Sequence, residues 1–251
     1  MLAALIGYMV LAPDEVPLDP RTLCPRDAMH NAARTTAVVI DRTDPITEVQ
    51  QEDALAHLTD IFRKAMPRER FVIYGLDARS DIVLNGTVRC NPLGPKQGSA
   101  LERLNTDTEF DEKLFNDKFL TPLVTTVKAM LPTTSTSQTD SPIMELVQAV
   151  AVRDLKRSPK ARLVLVSDLM QHSARYSHYK VVPNFKEFGR SDAFREVAVD
   201  LSTTAVHILY VTRSRGAGQQ PPNLEDFWQQ YFSALRANSI VIEKIRGEGW
   251  K

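Results

Sequence analysis

Four apolar runs rich in β-branched residues constrain this chain more than any other feature: "TAVVI" at 36–40, "RFVIYGLD" at 70–77, "ARLVLVSDL" at 161–169 and "TAVHILYVTR" at 204–213. A strand with one solvated face alternates apolar and polar residues. A run without alternation needs cover on both faces, as in a parallel sheet between two helical layers. The intervening segments supply that cover. "VQQEDALAHLTDIFRKAM" places Val49, Leu55, Leu58, Ile61, Phe62 and Met66 near helical spacing, so the first strand is followed by a helix. "SPIMELVQAVAVRDL" precedes the third run and "NLEDFWQQYFSALRA" follows the fourth in the same way. The alternation predicts an α/β fold: an open, mostly parallel sheet with helices on both faces, the strands of Val38, Val72, Val164 and Ile208 lying in one sheet.

The remaining segments fit around that frame. "SIVIEKI" reads as an edge strand, and "SDIVLNGTVRC" as a strand or hairpin carrying an Asn-Gly turn. Residues 109–131 form a long amphipathic helix that Pro122 should kink or break. In "DFWQQYF", Phe227, Trp228, Tyr231 and Phe232 make an apolar helix face of the kind that packs in a core. Two units are expected: residues 1–34 as an apolar segment with its linker, and 35–251 as one α/β domain.

Charge and cysteine content narrow the function classes. Lys plus Arg equals Asp plus Glu at 31 each, so no global field draws in nucleic acid, and none is expected as a partner. The basic clusters "KRSPKAR" (156–162) and "RSRG" (213–216) read as solvated loop charge. "LAALIGYMVLA" (2–12) carries no charge and is too short to span a bilayer as a helix. It reads as the tail of a membrane anchor or export signal; a buried element or a docking segment are the other readings. Cys24 and Cys90 both sit in turn-like segments and are expected within bonding reach. With the apolar start, that pairing points to a membrane-associated, extracytoplasmic setting, the cytoplasm being the alternative.

Right-handed crossovers place the C-terminal ends of the parallel strands along one edge, where open α/β sheets bind ligands. Three segments meet there: "IDRTDP", "TDSP" and "VSDL". Asp41 and Asp168 end apolar strands, Thr43 lies two residues past Asp41, and Ser141 precedes Pro142. Hard oxygen donors on loops suit Mg2+ or Mn2+. Each residue also has a local role open to it: Thr43 or Asp44 at a helix start, Thr47 with Gln50 as a capping box, Ser141 as an N-cap, Asp168 as a cap after its strand.

The arrangement resembles the von Willebrand factor A domain. That family carries Asp-x-Ser-x-Ser after its first strand, a Thr before a later helix and an Asp after its fourth strand. The resemblance implies a Rossmann-like three-layer sandwich over about residues 35–245. It also implies a metal-ion-dependent adhesion site with Asp41, Thr43, Ser141 and Asp168 as the metal ligands and Mg2+ or Mn2+ as the ion. Two departures stand out: Pro45 falls at the second Ser, and "SDL" replaces the family's "TDG". Thr139 can stand in for Ser141, and Asp44 can partly compensate for Pro45. Without an ion, two close carboxylates repel, so a substituting donor such as Arg42 or a backbone N–H is expected between them.

The function this implies is non-enzymatic: an adaptor or assembly domain beside a membrane, whose protein partner offers a carboxylate to the metal. The alternative is a phosphohydrolase of haloacid dehalogenase type with Asp41 as nucleophile and Ser167 as its second motif. Against it, Thr43 stands where a second acid is needed, and no "DD" follows in the last third of the chain. The five histidines show no HExxH spacing, His172 and His178 read as surface residues, and no Gly-rich phosphate loop is present.

Overall fold

β1 (Thr35–Asp41) lies inside a six-stranded sheet with β2 (Arg70–Leu76), β3 (Thr87–Cys90), β4 (Ala161–Ser167), β5 (Thr204–Val211) and β6 (Ser239–Ile245), in the order β3-β2-β1-β4-β5-β6. Only β3 runs antiparallel, against β2; β1 pairs in parallel with both β2 and β4, β5 with β4, and β6 with β5. The computed structural model describes residues 17–26, 32–77, 86–93, 108–132, 140–213 and 220–245. The apolar stretch at 2–12 and Thr139 lie outside them.

The uninterrupted runs are explained by what covers them. Ala37 and Val39 of β1 face one apolar layer, Val38 and Ile40 the other, and all four are fully buried. Val38 and Ile40 pack with Ala54, Leu58 and Phe62 of α1 (Glu48–Arg63) and with Leu123 and Val127 from the helix ending at Met130. On the other face lie α4 (Ile143–Val150), the short helices α5 (Phe185–Phe188) and α6 (Asp192–Val197), and α7 (Leu224–Ala234), the last burying Phe227, Trp228, Tyr231 and Phe232. The three-layer α/β fold is therefore the one the apolar patterning predicts.

Two details differ from that patterning. Val49 and Met66 are exposed, at 44% and 36%, while Gln50 and Ala54 are buried. Burying Gln50 is made affordable by its side chain, which completes the Thr47 capping box and donates to the Thr212 carbonyl at 2.6 Å, just past the end of β5. The helix around Pro122 does not break. α2 (Thr108–Leu114) widens into a π-helical stretch, Phe115–Leu120, and continues as α3 (Thr121–Met130). Proline has no N–H for the carbonyl four residues back. That carbonyl belongs to Lys118, and the Arg89 guanidinium donates to it at 2.5 Å.

The opposite, N-terminal end of the sheet is tied by buried charge. Glu69 accepts from Arg34 at 2.7 and 2.9 Å, from Arg162 at 3.1 Å and from Thr36 at 2.6 Å. Arg162 is thus not the solvated loop charge expected of its basic cluster: its strand carries it onto a fully buried carboxylate. Asp154, in the π-helical continuation of α4 (Ala151–Leu155), accepts from Arg70 at 2.8 Å and from the Tyr74 hydroxyl at 2.5 Å.

Cys24 and Cys90 are disulfide-bonded with their Cα atoms 4.8 Å apart. The bond pins residues 17–26 beside β3, and the Cys90 N–H donates to the Thr22 carbonyl at 2.8 Å. A closed loop spanning a separation of 66 residues removes chain entropy from the unfolded state worth about 4 kcal/mol. Replacing both cysteines by serine is expected to lower stability by roughly 2–4 kcal/mol while leaving the sheet folded. Urea unfolding of the variant beside the wild type, with and without reductant, checks this; the variant should be insensitive to the reductant.

Candidate functional site

The C-terminal edge of the sheet gathers the residues expected there. β1 delivers Asp41, which is 8% exposed. Its Oδ1 accepts from the Thr43 hydroxyl at 2.7 Å and the Thr43 N–H at 3.1 Å. Its Oδ2 accepts from Ser167 at 2.8 Å and from Ser141 at 3.3 Å. Ser141 is therefore no N-cap. Pro142 occupies the cap position of α4 without a side-chain hydrogen bond, which leaves the Ser141 hydroxyl to Asp41. Nor does Thr43 open a helix, since α1 begins at its own Thr47–Gln50 box.

Asp168 follows β4 and is 6% exposed. Its Oδ1 accepts from the Met170 N–H at 2.9 Å, closing a turn, and its Oδ2 accepts from Arg213 Nε at 2.5 Å. Leu169 has a φ of 64°, in the left-handed region that favours glycine. A non-glycine residue there costs on the order of 1 kcal/mol. Partners on both sides hold it: its N–H donates to Ser167 Oγ at 2.9 Å, and its carbonyl accepts from Trp228 Nε1 at 2.9 Å and lies 3.1 Å from His178 Nδ1. His178 is consequently buried rather than at the surface, and burial pushes its pKa down to about 4.

Arg213 leaves the end of β5, the strand next to β4, and reaches across the edge. Besides Asp168, its Nη2 donates to Asp44 Oδ2 at 2.5 Å and to the Tyr179 hydroxyl at 3.0 Å, and the guanidinium carbon lies 5.9 Å from the Tyr179 ring centre. Gln220 fixes the backbone below: it accepts from the Arg213 N–H and donates to the carbonyls of Asp168 and Val211, each at 2.9 Å. Arg42 is not the donor between Asp41 and Asp168: each of the two takes a backbone N–H, from Thr43 and Met170, and Arg213 joins Asp168 to Asp44 instead. Arg42 instead packs over Gly75, where an added Cβ would come within 2.9 Å of its Cδ, and pairs with Asp77 at 3.6 Å.

Burial pushes the Asp41 carboxyl up against the pull of the Thr43 and Ser167 donors. Burial, and then the Asp41 charge, pushes Asp168 up to about 7, with Arg213 opposing. Burial also works against the Arg213 charge, but Asp168, Tyr179 and Asp44 more than offset it, and the guanidinium stays ionised.

As placed, this donor set does not fit a divalent ion. Asp168 and Asp44 each give an oxygen to the guanidinium, Pro45 supplies no hydroxyl, and both Asp41 oxygens are hydrogen-bonded. Among the described residues no three His, Cys, Asp or Glu side chains gather at one point. The sequence reading found Asp41, Thr43, Ser141 and Asp168 but took Arg213 for solvated loop charge. The usable signal was its place: two residues past a buried strand, next to the strand that ends in Asp168.

Asp168 yields a pH dependence. An ordinary Asp titrates near 3.8, and Asp168 in the folded chain near 7. Between those values the folded state holds a proton that the unfolded state has released. Stability therefore falls as pH rises through that window, by up to about 1.4 kcal/mol per pH unit from this group. Asp168→Asn is expected to flatten the slope, as read by urea unfolding at several pH values across the window.

No family model and no curated protein matches the chain. Among solved structures it is similar to a von Willebrand factor type A protein from Catenulispora acidiphila, at 12% identity and a TM-score of 0.43, over 86% of this chain and 39% of that one. It is also similar to proximal thread matrix protein 1 from the mussel byssus, at 10% identity and a TM-score of 0.37, over 84% of this chain and 42% of that one. The chain spans about two fifths of the length of each, and its α/β architecture rests on its own strand order and register.

Proposed function

We propose that the protein is a non-enzymatic interaction domain of von Willebrand factor A type, an adaptor or assembly module that receives a protein partner at the C-terminal edge of its sheet. The observation that carries this reading is the surface beside Arg213. Tyr179, Val181 and Val182 stand together on the connection after β4, exposed at 50%, 49% and 79%. Val181 and Val182 also line a cleft of about 620 Å³ together with Phe185, Asn223, Phe227 and Gln230. Exposed aromatic and aliphatic side chains on one connection suit a partner that buries apolar residues against them. The phosphohydrolase reading asks Asp41 for an oxygen open to phosphorus, and the four donors on that buried carboxylate favour the interaction reading.

The disulfide supports an oxidising, extracytoplasmic compartment. Among the described residues no helix is long and apolar enough to cross a membrane, so membrane association rests on the apolar stretch at 2–12.

A photo-crosslinking residue placed at Val182 tests the surface, with one at Val152, 54% exposed in the continuation of α4, as the control. The expected result is one discrete adduct from position 182 in the native setting, absent from position 152 and lost with Tyr179→Ala. Adducts of equal yield from both positions would contradict the edge as the contact. Hydrolysis of p-nitrophenyl phosphate that Asp41→Asn abolishes would establish the enzymatic alternative instead.

A further inference from the structure

We infer that Arg213 is the resident cation of this edge: its guanidinium takes up the Asp168 and Asp44 oxygens that a divalent ion would otherwise need, and the edge works without metal. Three independent features of the chain converge on this. The first is position. The guanidinium bonds Asp168, one of the four expected ligands, to Asp44, and so ties the loop after β1 to the end of β4.

The second is that the Arg213 side chain is built in. It is 14% exposed, its own N–H is held by Gln220, and Tyr179 both accepts from it and lies beside its plane. A side chain so placed is not a loop charge that happened to fall near an acid. The third is a missing ligand. Pro45 stands where a second hydroxyl would complete an ion's coordination, and a divalent ion that has lost a donor is held less well. The tethered cation needs no such donor, because a planar guanidinium satisfies carboxylates through its N–H groups.

A consequence separates this from a plain salt bridge. If the guanidinium stands for an ion, removing it should uncover a cation site, since it frees an oxygen on each of Asp44 and Asp168, and one or two carboxylates with water suffice for such an ion. The inference does not depend on the partner-binding reading, and its test involves no partner.

The test is a Mn2+ titration of the folded full chain, followed by electron paramagnetic resonance of the free ion and by thermal shift. The variants are Arg213→Ala, Arg213→Gln and Arg213→Lys. Wild type is expected to take up no Mn2+ and to melt at the same temperature in Mn2+ and in EDTA. Arg213→Ala is expected to melt lower in EDTA, to recover with Mn2+, and to deplete the free-ion signal that wild type leaves unchanged. Arg213→Lys, which keeps a tethered cation, should stay silent. Should the alanine variant not fold, Arg213→Gln keeps a donor toward Asp168 without the charge and is read in the same way. Mn2+ uptake by wild type that Asp168→Ala abolishes would overturn the inference. So would a folded Arg213→Ala or Arg213→Gln indifferent to Mn2+, since the guanidinium would then not be occupying a cation's place.

Discussion

A carboxylate at the end of a strand buried on both faces has lost most of its water, and something in the protein must replace it. This sheet brings two such carboxylates, Asp41 and Asp168, to one edge. Asp41 is compensated by hydroxyls and an N–H from Thr43, Ser141 and Ser167; Asp168 is compensated by a full charge, Arg213. The rest of the edge follows from that division. Pro142 in place of a side-chain cap frees Ser141, Gln220 braces the backbone beneath Arg213, and Leu169 accepts a left-handed backbone whose polar groups Ser167, Trp228 and His178 hold.

The two ends of the sheet solve the same problem differently. At the N-terminal end Glu69 is enclosed by two arginines and a threonine, all arising from the strands and their approaches, and Asp154 sits between Arg70 and Tyr74. These groups are deeply buried and hold the strands in position. At the C-terminal end Asp44 is half exposed and Tyr179 more so, so the compensating network opens onto the surface. That asymmetry is why the proposed partner surface lies at the C-terminal edge and not at the opposite end.

Much of the fold was legible because it depends on local pattern. "TAVVI" and "ARLVLVSDL" announce two-sided burial by the absence of alternation, and Phe227, Trp228, Tyr231 and Phe232 announce a packed helix face by their spacing. Asp41 and Asp168 were legible because a parallel sheet fixes where strand ends go. Charges that cross between elements were not. Arg213 and Asp44 are 169 residues apart, Arg162 and Glu69 are 93 apart, and nothing local distinguishes either arginine from a solvated one. His178 escaped for the same reason: the apolar wall that buries it comes from α7, far along the chain.

The central claim is that Asp168 and Arg213 act as one unit, and a double-mutant cycle with Asp168→Asn and Arg213→Met, measured by urea unfolding in EDTA above the Asp168 titration at about pH 7, tests it most directly. For a pair with side chains 7% and 14% exposed, the account predicts that each single substitution strands the other partner and that the double variant recovers part of the loss. The coupling should be about 2–3 kcal/mol. Losses that add to within about 0.5 kcal/mol would show that the two residues are independent, and would contradict an edge organised around a guanidinium.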